Sequence, residues 1–470
     1  MNRRNFILKT AVAAGGAGLA FSGFTKLAEI RGTAQNLSDL TGKGFGELLP
    51  VPALNTGETH LALPKNFQYK VIGKVGKLMS DNRETPRAHD GMALFQLRNE
   101  WRIVRNHEIN DRLPKNEVVI GSANHYDETA GGGTTTLVID PKTREIVRDF
   151  VSLSGTLNNC AGGPTPWQSW ISCEETTYGQ TKYTTAGGLE VGGFAKPHGY
   201  CFEVRASANN NVAPVALTAM GRFVHEAVAV DAKRGIVYQT EDNNPAGFYR
   251  FLPNRHKHLE EGGRLQVLAV KDKANFDTRT GQKTGKQLKT TWLSIDEPNP
   301  PEADTNSSAV FNQGSKKGAA LFARLEGCFI AKNGQVYFAS TNGGENKGGQ
   351  IWLYQPDGKD KGILTLVFES PDREILDMPD NICLHPKNNL LFLCEDSDYG
   401  LSGATAENFV RILSPDGKIA DFAKNISPGK ETSEFAGATF SPDGKTLFVN
   451  IQAAGLTAAI WGDWENLKNM

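Results

Sequence analysis

One unit recurs along this chain: an apolar run, a tight polar turn built on Asp-Pro, Ser-Pro, His-Pro or Asp-x-x-x-Gly, and a second apolar run. TFSPDGKTLFVN, ILSPDGKIADFA, CLHPKNNLLFLCED, VAVDAKRGIVYQTED and LVIDPKTREIVRDF all follow it. Turns of this kind join antiparallel strands. Further short β-like runs lie at 134–140, 198–204, 247–253, 335–341 and 349–356, with almost no helical periodicity between them. Hairpins repeated over most of 470 residues predict an all-β fold, a six-bladed β-propeller with small irregular or helical insertions. A pair of large β-sandwiches competes with it. That architecture gives no reason for polar residues to recur after the second run, as Glu241-Asp242, Glu395-Asp396 and Asn450 do. In a propeller, equivalent strand ends converge on one mouth of the central channel.

The 50 glycines suit a chain of many turns, and a net charge of −1 excludes a strong electrostatic footprint for nucleic acid or an anionic membrane. Residues 1–34 read as an export signal: Arg3-Arg4-Asn5-Phe6 with Lys9, an Ala/Gly-rich apolar stretch, and small residues before Gln35. The wording resembles a twin-arginine signal, which exports folded cargo to the periplasm or beyond. The stretch is too short and too glycine-rich for a stable membrane anchor. Residues 35–470 are then one propeller domain, with 254–318, rich in Lys, Asn and Gly, expected as a loop-rich insertion. Six cysteines permit disulfides in an exported protein, but five of them sit in apolar runs as small hydrophobes. Cys160 differs, lying in Asn-Cys-Ala-Gly-Gly, which reads as a glycine loop.

Carboxylates stand beside apolar strand residues in several places: Glu108, Glu174, Glu226, Glu241, Asp242, Glu326, Asp380, Glu395, Asp396 and Glu434. Singly these read as solvated turn residues. Together they imply repeated burial of negative charge, which needs arginine partners or metal ions. Arg324 is the one obvious basic partner nearby, so metals are favoured. Carboxylate and amide oxygens suit calcium, while a thiolate such as Cys160 suits iron or zinc. No CxxC or HExxH spacing supports zinc, no G-x-S-x-G elbow supports a serine esterase, and no phosphate-binding glycine loop is present.

Taken in order, Arg105-Asn106-His107-Glu108, Asn159-Cys160-Ala161-Gly162-Gly163, Cys173-Glu174-Glu175, His225-Glu226-Ala227, Thr240-Glu241-Asp242, Arg324-Leu325-Glu326-Gly327, Pro379-Asp380-Asn381 and the closing SPDGKTLFVNIQ resemble the PhoX-type alkaline phosphatases. The resemblance runs from about residue 60 to the C-terminal AIWGDW. It implies hydrolysis of small phosphomonoesters, with Fe3+ and Ca2+ at the channel mouth and a metal-bound oxygen as nucleophile. It carries iron ligation to Cys160, Glu226 and Glu326, and phosphate recognition to Arg324. Glu108, Glu174, Glu241, Asp242, Asp380 and Glu434 become candidates for the calcium shell or the remaining ligand places. A calcium-dependent propeller lactonase and a calcium-stabilised binding propeller without activity remain the alternatives. The expected partners are small phosphomonoesters, with no nucleic acid, and the expected state is a monomer.

Overall fold

A computed structural model describes residues 40–121, 123–185, 187–397 and 407–466, so the expected export signal lies outside the described residues. Six strands, His89–Leu97, Asn159–Pro164, His225–Val230, Leu325–Ile330, Pro379–Leu384 and Phe435–Phe440, each begin an antiparallel ladder. Each lies against the next, and Phe435–Phe440 returns to His89–Leu97, so these strands ring a central axis and their sheets radiate outwards as a propeller. The ring is fastened from the front of the chain. Strand Phe67–Lys74 pairs with Leu456–Gly462, the last strand among the described residues, so an early strand closes the final sheet, while Leu48–Pro52 and Thr59–Pro64 extend the sheet before it.

The recurring turn has a simple local cause. In Ser441-Pro-Asp-Gly, the Ser441 hydroxyl donates to Asp443 Oδ1 at 2.6 Å and the Lys445 N–H donates to the same oxygen at 3.0 Å. Gly444 then takes a left-handed φ of 70°, which a side chain would disfavour. The core lies between neighbouring sheets. One apolar layer stacks Phe248 on Phe338 at 4.3 Å, and another packs Phe67, Phe392 and Phe422 around Trp464.

Residues 254–318 depart from the expected loops. They contain strands His258–Val270 and Gln287–Ser294 and the helix Ala309–Lys316. Gln287–Ser294 joins two sheets, pairing with His258–Val270 on one side and Lys361–Glu369 on the other. Its buried positions, Leu288, Thr290 and Trp292, alternate with Lys289 and Thr291, and the polar alternates hid the period-two pattern. Among the described residues no helix is long and apolar enough to cross a membrane.

Candidate active site

The first strand of every ladder is irregular in the same place. Its register shifts between His89 and Met92, Asn159 and Gly162, His225 and Val228, Leu325 and Cys328, Pro379 and Ile382, and Ala436 and Thr439. A bulge of this kind re-aims a side chain at the rim of a barrel or propeller. The residues so placed are Asp90, Cys160, Glu226, Glu326 and Asp380, while the last irregularity holds Gly437 and Ala438. A small residue usually follows because the inner strands abut. A Cβ on Gly91 would lie 2.5 Å from Ala161 Cα, and one on Gly327 would lie 2.4 Å from the Asp380 carbonyl oxygen. Cys160 therefore sits in a strand, not in the expected glycine loop. Gly162 and Gly163 are there because a Cβ on either would fall 1.9 Å from a neighbouring carbonyl, that of Ile171 or Val228.

A second set of acids follows the adjoining strands. Glu108, Glu175, Asp242 and Asp396 come directly after strands ending at His107, Glu174, Glu241 and Glu395. Parity divides each pair. The last strand residue turns into its sheet and the following acid faces the axis. Glu174 is thus occupied within its sheet, accepting from the N–H groups of Leu157 (2.8 Å), Gly199 (2.7 Å) and Tyr200 (3.0 Å), with His198 Nδ1 at 2.6 Å. Burial opposes charge on His198, but Glu174 and Asp127 outweigh it and hold its pKa at about 9. Glu241 likewise accepts from Gly247 N–H and the Tyr249 hydroxyl, each at 2.8 Å.

The acids that face the axis form overlapping groups. Glu108, Cys160 and Glu175 make one; Asp90, Glu108 and Glu434 a second; Glu175, Asp242 and Glu326 a third; Glu226, Glu326 and Asp380 a fourth. Within each, one ligand atom per residue lies within 4.8 Å of the others. Of the residues expected from sequence, Cys160, Glu108, Glu226, Asp242, Glu326, Asp380 and Glu434 come together here. Glu174 and Glu241 stand outside the groups, each one residue short of the acid that joins them. Sequence reasoning passed over Asp90, and it noted Glu175 and Asp396 without carrying either into the ligand set. Asp396 presses electrostatically on Glu108, Asp380 and Glu434.

This arrangement is unstable as bare charge. Burial, followed by repulsion from Glu326 and Asp380, pushes Glu226 well above the carboxylate range; burial with Glu226 and Glu108 does the same to Glu175. Glu108 is raised to about 7, first by burial and then by Asp396. Burial and the Asp90 and Glu226 charges push the Cys160 thiol up. Among the described residues no nitrogen or hydroxyl donor reaches either oxygen of Glu226, or the buried Asp90 Oδ1. Oxygens of this kind beside a thiol fit cations, since the alternative is an uncompensated buried charge.

Arg324 stands at the edge of the groups with its side chain 31% exposed. Its left-handed φ of 40° is shared by other residues that directly precede inner strands, Ala88, Asn158 and Met378. Its Nε and Nη2 donate to Asp242 at 2.9 Å each, and Nη2 lies 3.2 Å from Glu326. Burial would lower its pKa, but Glu326 and Asp242 raise it, so the guanidinium stays charged.

A β-propeller whose channel mouth gathers carboxylates, a thiol and a charged arginine is built for metal-assisted chemistry on an anionic substrate. The family model described as "Alkaline phosphatase PhoX" matches residues 44–149 and 141–455. The chain belongs to this metal-dependent phosphatase family and is an alkaline phosphatase. A Pseudomonas fluorescens PhoX solved in complex with vanadate, a transition state analogue, shares the fold with a TM-score of 0.66 at 20% identity, over 89% of this chain and 98% of that one. The Xanthomonas campestris gluconolactonase XC5397 aligns over 88% of this chain and 97% of its own, but at a TM-score of 0.38 and 11% identity it carries no argument. A search of curated proteins returned no match.

Proposed function

We propose that this phosphatase hydrolyses small phosphomonoesters at the acidic mouth, with Arg324 receiving the phosphoryl group. The observation that carries the reading is Glu226, buried with no nitrogen or hydroxyl donor among the described residues to either oxygen, and grouped with Glu326, which lies 3.2 Å from Arg324. Cys160, Glu226 and Glu326 would hold iron, with Glu175, which groups with Cys160 on one side and Glu326 on the other, as a further ligand; the thiolate selects a softer metal than oxygen ligands alone. Asp90, Glu108, Glu434, Asp380 and Asp396 form the oxygen-rich side suited to calcium. When bound, such ions neutralise phosphoryl charge and act as Lewis acids.

The protein's own contribution is orientation. Asp242 grips one edge of the Arg324 guanidinium, while the Asn243 carbonyl accepts the Arg324 N–H at 2.8 Å and Thr341 N–H donates to the Arg324 carbonyl at 2.9 Å. A guanidinium held on one edge offers its other N–H groups to phosphoryl oxygens in a fixed plane. The vanadate complex of the P. fluorescens protein agrees with a site for a phosphoryl transition state. A six-bladed count is supported by the ring of inner strands. Export through the twin-arginine route, a periplasmic or secreted location and a monomeric state belong to the same proposal; Arg3-Arg4 supports the first two. Turnover of p-nitrophenyl phosphate at alkaline pH, with metal analysis of the same sample, tests the reading. Iron-free protein with no turnover in excess calcium would sink it.

A further inference from the structure

We propose that Asn106 and Trp170 form a positioning pair that fixes the Cys160 backbone, and so aims its thiol relative to Glu108 and Glu175. The inference rests on Cys160 being a metal ligand. Asn106 is fully buried in strand Glu100–His107, two residues before Glu108. Its amide nitrogen donates to the carbonyls of Cys160 (2.9 Å) and Ala161 (2.7 Å), which belong to the neighbouring sheet. Its amide oxygen accepts from the Trp170 indole N–H (2.8 Å) and the Ser172 hydroxyl (2.9 Å). Both donors and both acceptor sites of the amide are therefore filled, and only one orientation of the amide satisfies all four contacts.

The need for this pair follows from the bulge. Between Asn159 and Gly162 the strand leaves register with its ladder partner, so the Cys160 and Ala161 carbonyls need other donors. They point where the inner strands nearly touch, since a Cβ on Gly91 would lie 2.9 Å from the Cys160 oxygen. Asn106 fills that place from one sheet. Trp170 and Ser172, on strand Ser169–Glu174, fix the amide from the other. Asn159 extends the lattice, donating to Ser172 Oγ at 2.8 Å. One buried amide thus joins the strand that leads to Glu108, the strand that carries Cys160 and the strand that leads to Glu175. These are the members of a single ligand group.

Cobalt(II) titration of the metal-free protein tests this, read by the thiolate-to-cobalt charge-transfer band and the binding midpoint. Trp170→Phe keeps the ring packing and removes one N–H. Asn106→Asp keeps the size and removes both donors to the carbonyls. Each is expected to weaken cobalt binding by about 10- to 100-fold and to shift or weaken the band. The control Thr165→Val breaks the 2.7 Å hydroxyl contact with Ser169 at the far end of the same sheet and is expected to leave the band unchanged. A wild-type band and midpoint in both variants, with only the melting temperature lowered, would overturn the proposal. If Asn106→Asp does not fold, Trp170→Phe decides. Absence of the band in the wild type, as in Cys160→Ala, overturns the ligand role of Cys160 and this inference with it.

Discussion

Glu226→Gln is expected to change the sign of its effect with metal. One Glu226 oxygen lies within 4.8 Å of ligand atoms on Glu326 and Asp380. At an effective dielectric of about 20, each ionised pair at that separation costs roughly 3.5 kcal/mol. One proton shared among the three limits the relief from neutralising Glu226 to about one pair. Unfolding entropy of about 2.1 cal/mol/K per residue makes 1 kcal/mol worth about 1 °C in a chain of 470 residues. In chelator at pH 9 the variant should therefore melt about 3 °C above wild type. In saturating metal it should melt below wild type, because a ligand has been lost and binding linkage with it. Differential scanning calorimetry with and without chelator reads both arms. A variant that melts lower than wild type in chelator would refute the claim that Glu226 is an uncompensated charge awaiting a cation.

Other substitutions separate the roles of neighbouring residues. Glu174→Gln breaks a buried set around His198 and should lower stability by about 3–5 kcal/mol in urea melts, whereas Glu175→Gln should abolish most turnover with a smaller stability change. Arg324→Lys loses the fork to Asp242 and should lower kcat/KM about 100-fold in steady-state assays, about 2.7 kcal/mol of transition-state stabilisation. Burial raises Glu241 to about 7 against its hydrogen bonds, so its contribution to stability is complete below its ordinary 4.5 and is lost as pH climbs through about 7. Glu241→Gln should remove about 3 kcal/mol of that slope, measured by denaturant melts across this window.

Much of this was legible because the fold repeats its rules. Pro-Asp-Gly turns and paired apolar runs carry strand content, and acids after the second run mark one mouth of a channel. Which acid of each pair faces the axis was not legible, because it depends on the last strand residue, a boundary that sequence patterns place only to within a residue or two. Glu174 was chosen over Glu175, and Glu241 alongside Asp242, for that reason. Asp90 was missed because it stands ahead of the apolar Met92-Ala-Leu-Phe, after the polar Arg87-Ala-His, where an acid reads as a turn residue, although acid-then-small is the signature that Glu226-Ala227 and Glu326-Gly327 share. Cys160 looked like a loop residue since its glycines are explained by contacts with Ile171 and Val228, which no local pattern reveals. The Arg324–Asp242 fork spans 82 positions of sequence and became visible only once the sheets closed into a ring.

The most direct test of the central claim is phosphomonoester turnover at alkaline pH on one preparation, before chelation, after exhaustive chelation and after iron and calcium are returned, with metal content measured at each stage. The account predicts bound metal and turnover at the start, loss of both on chelation, and recovery of both together. Undiminished turnover by protein stripped of metal would contradict it.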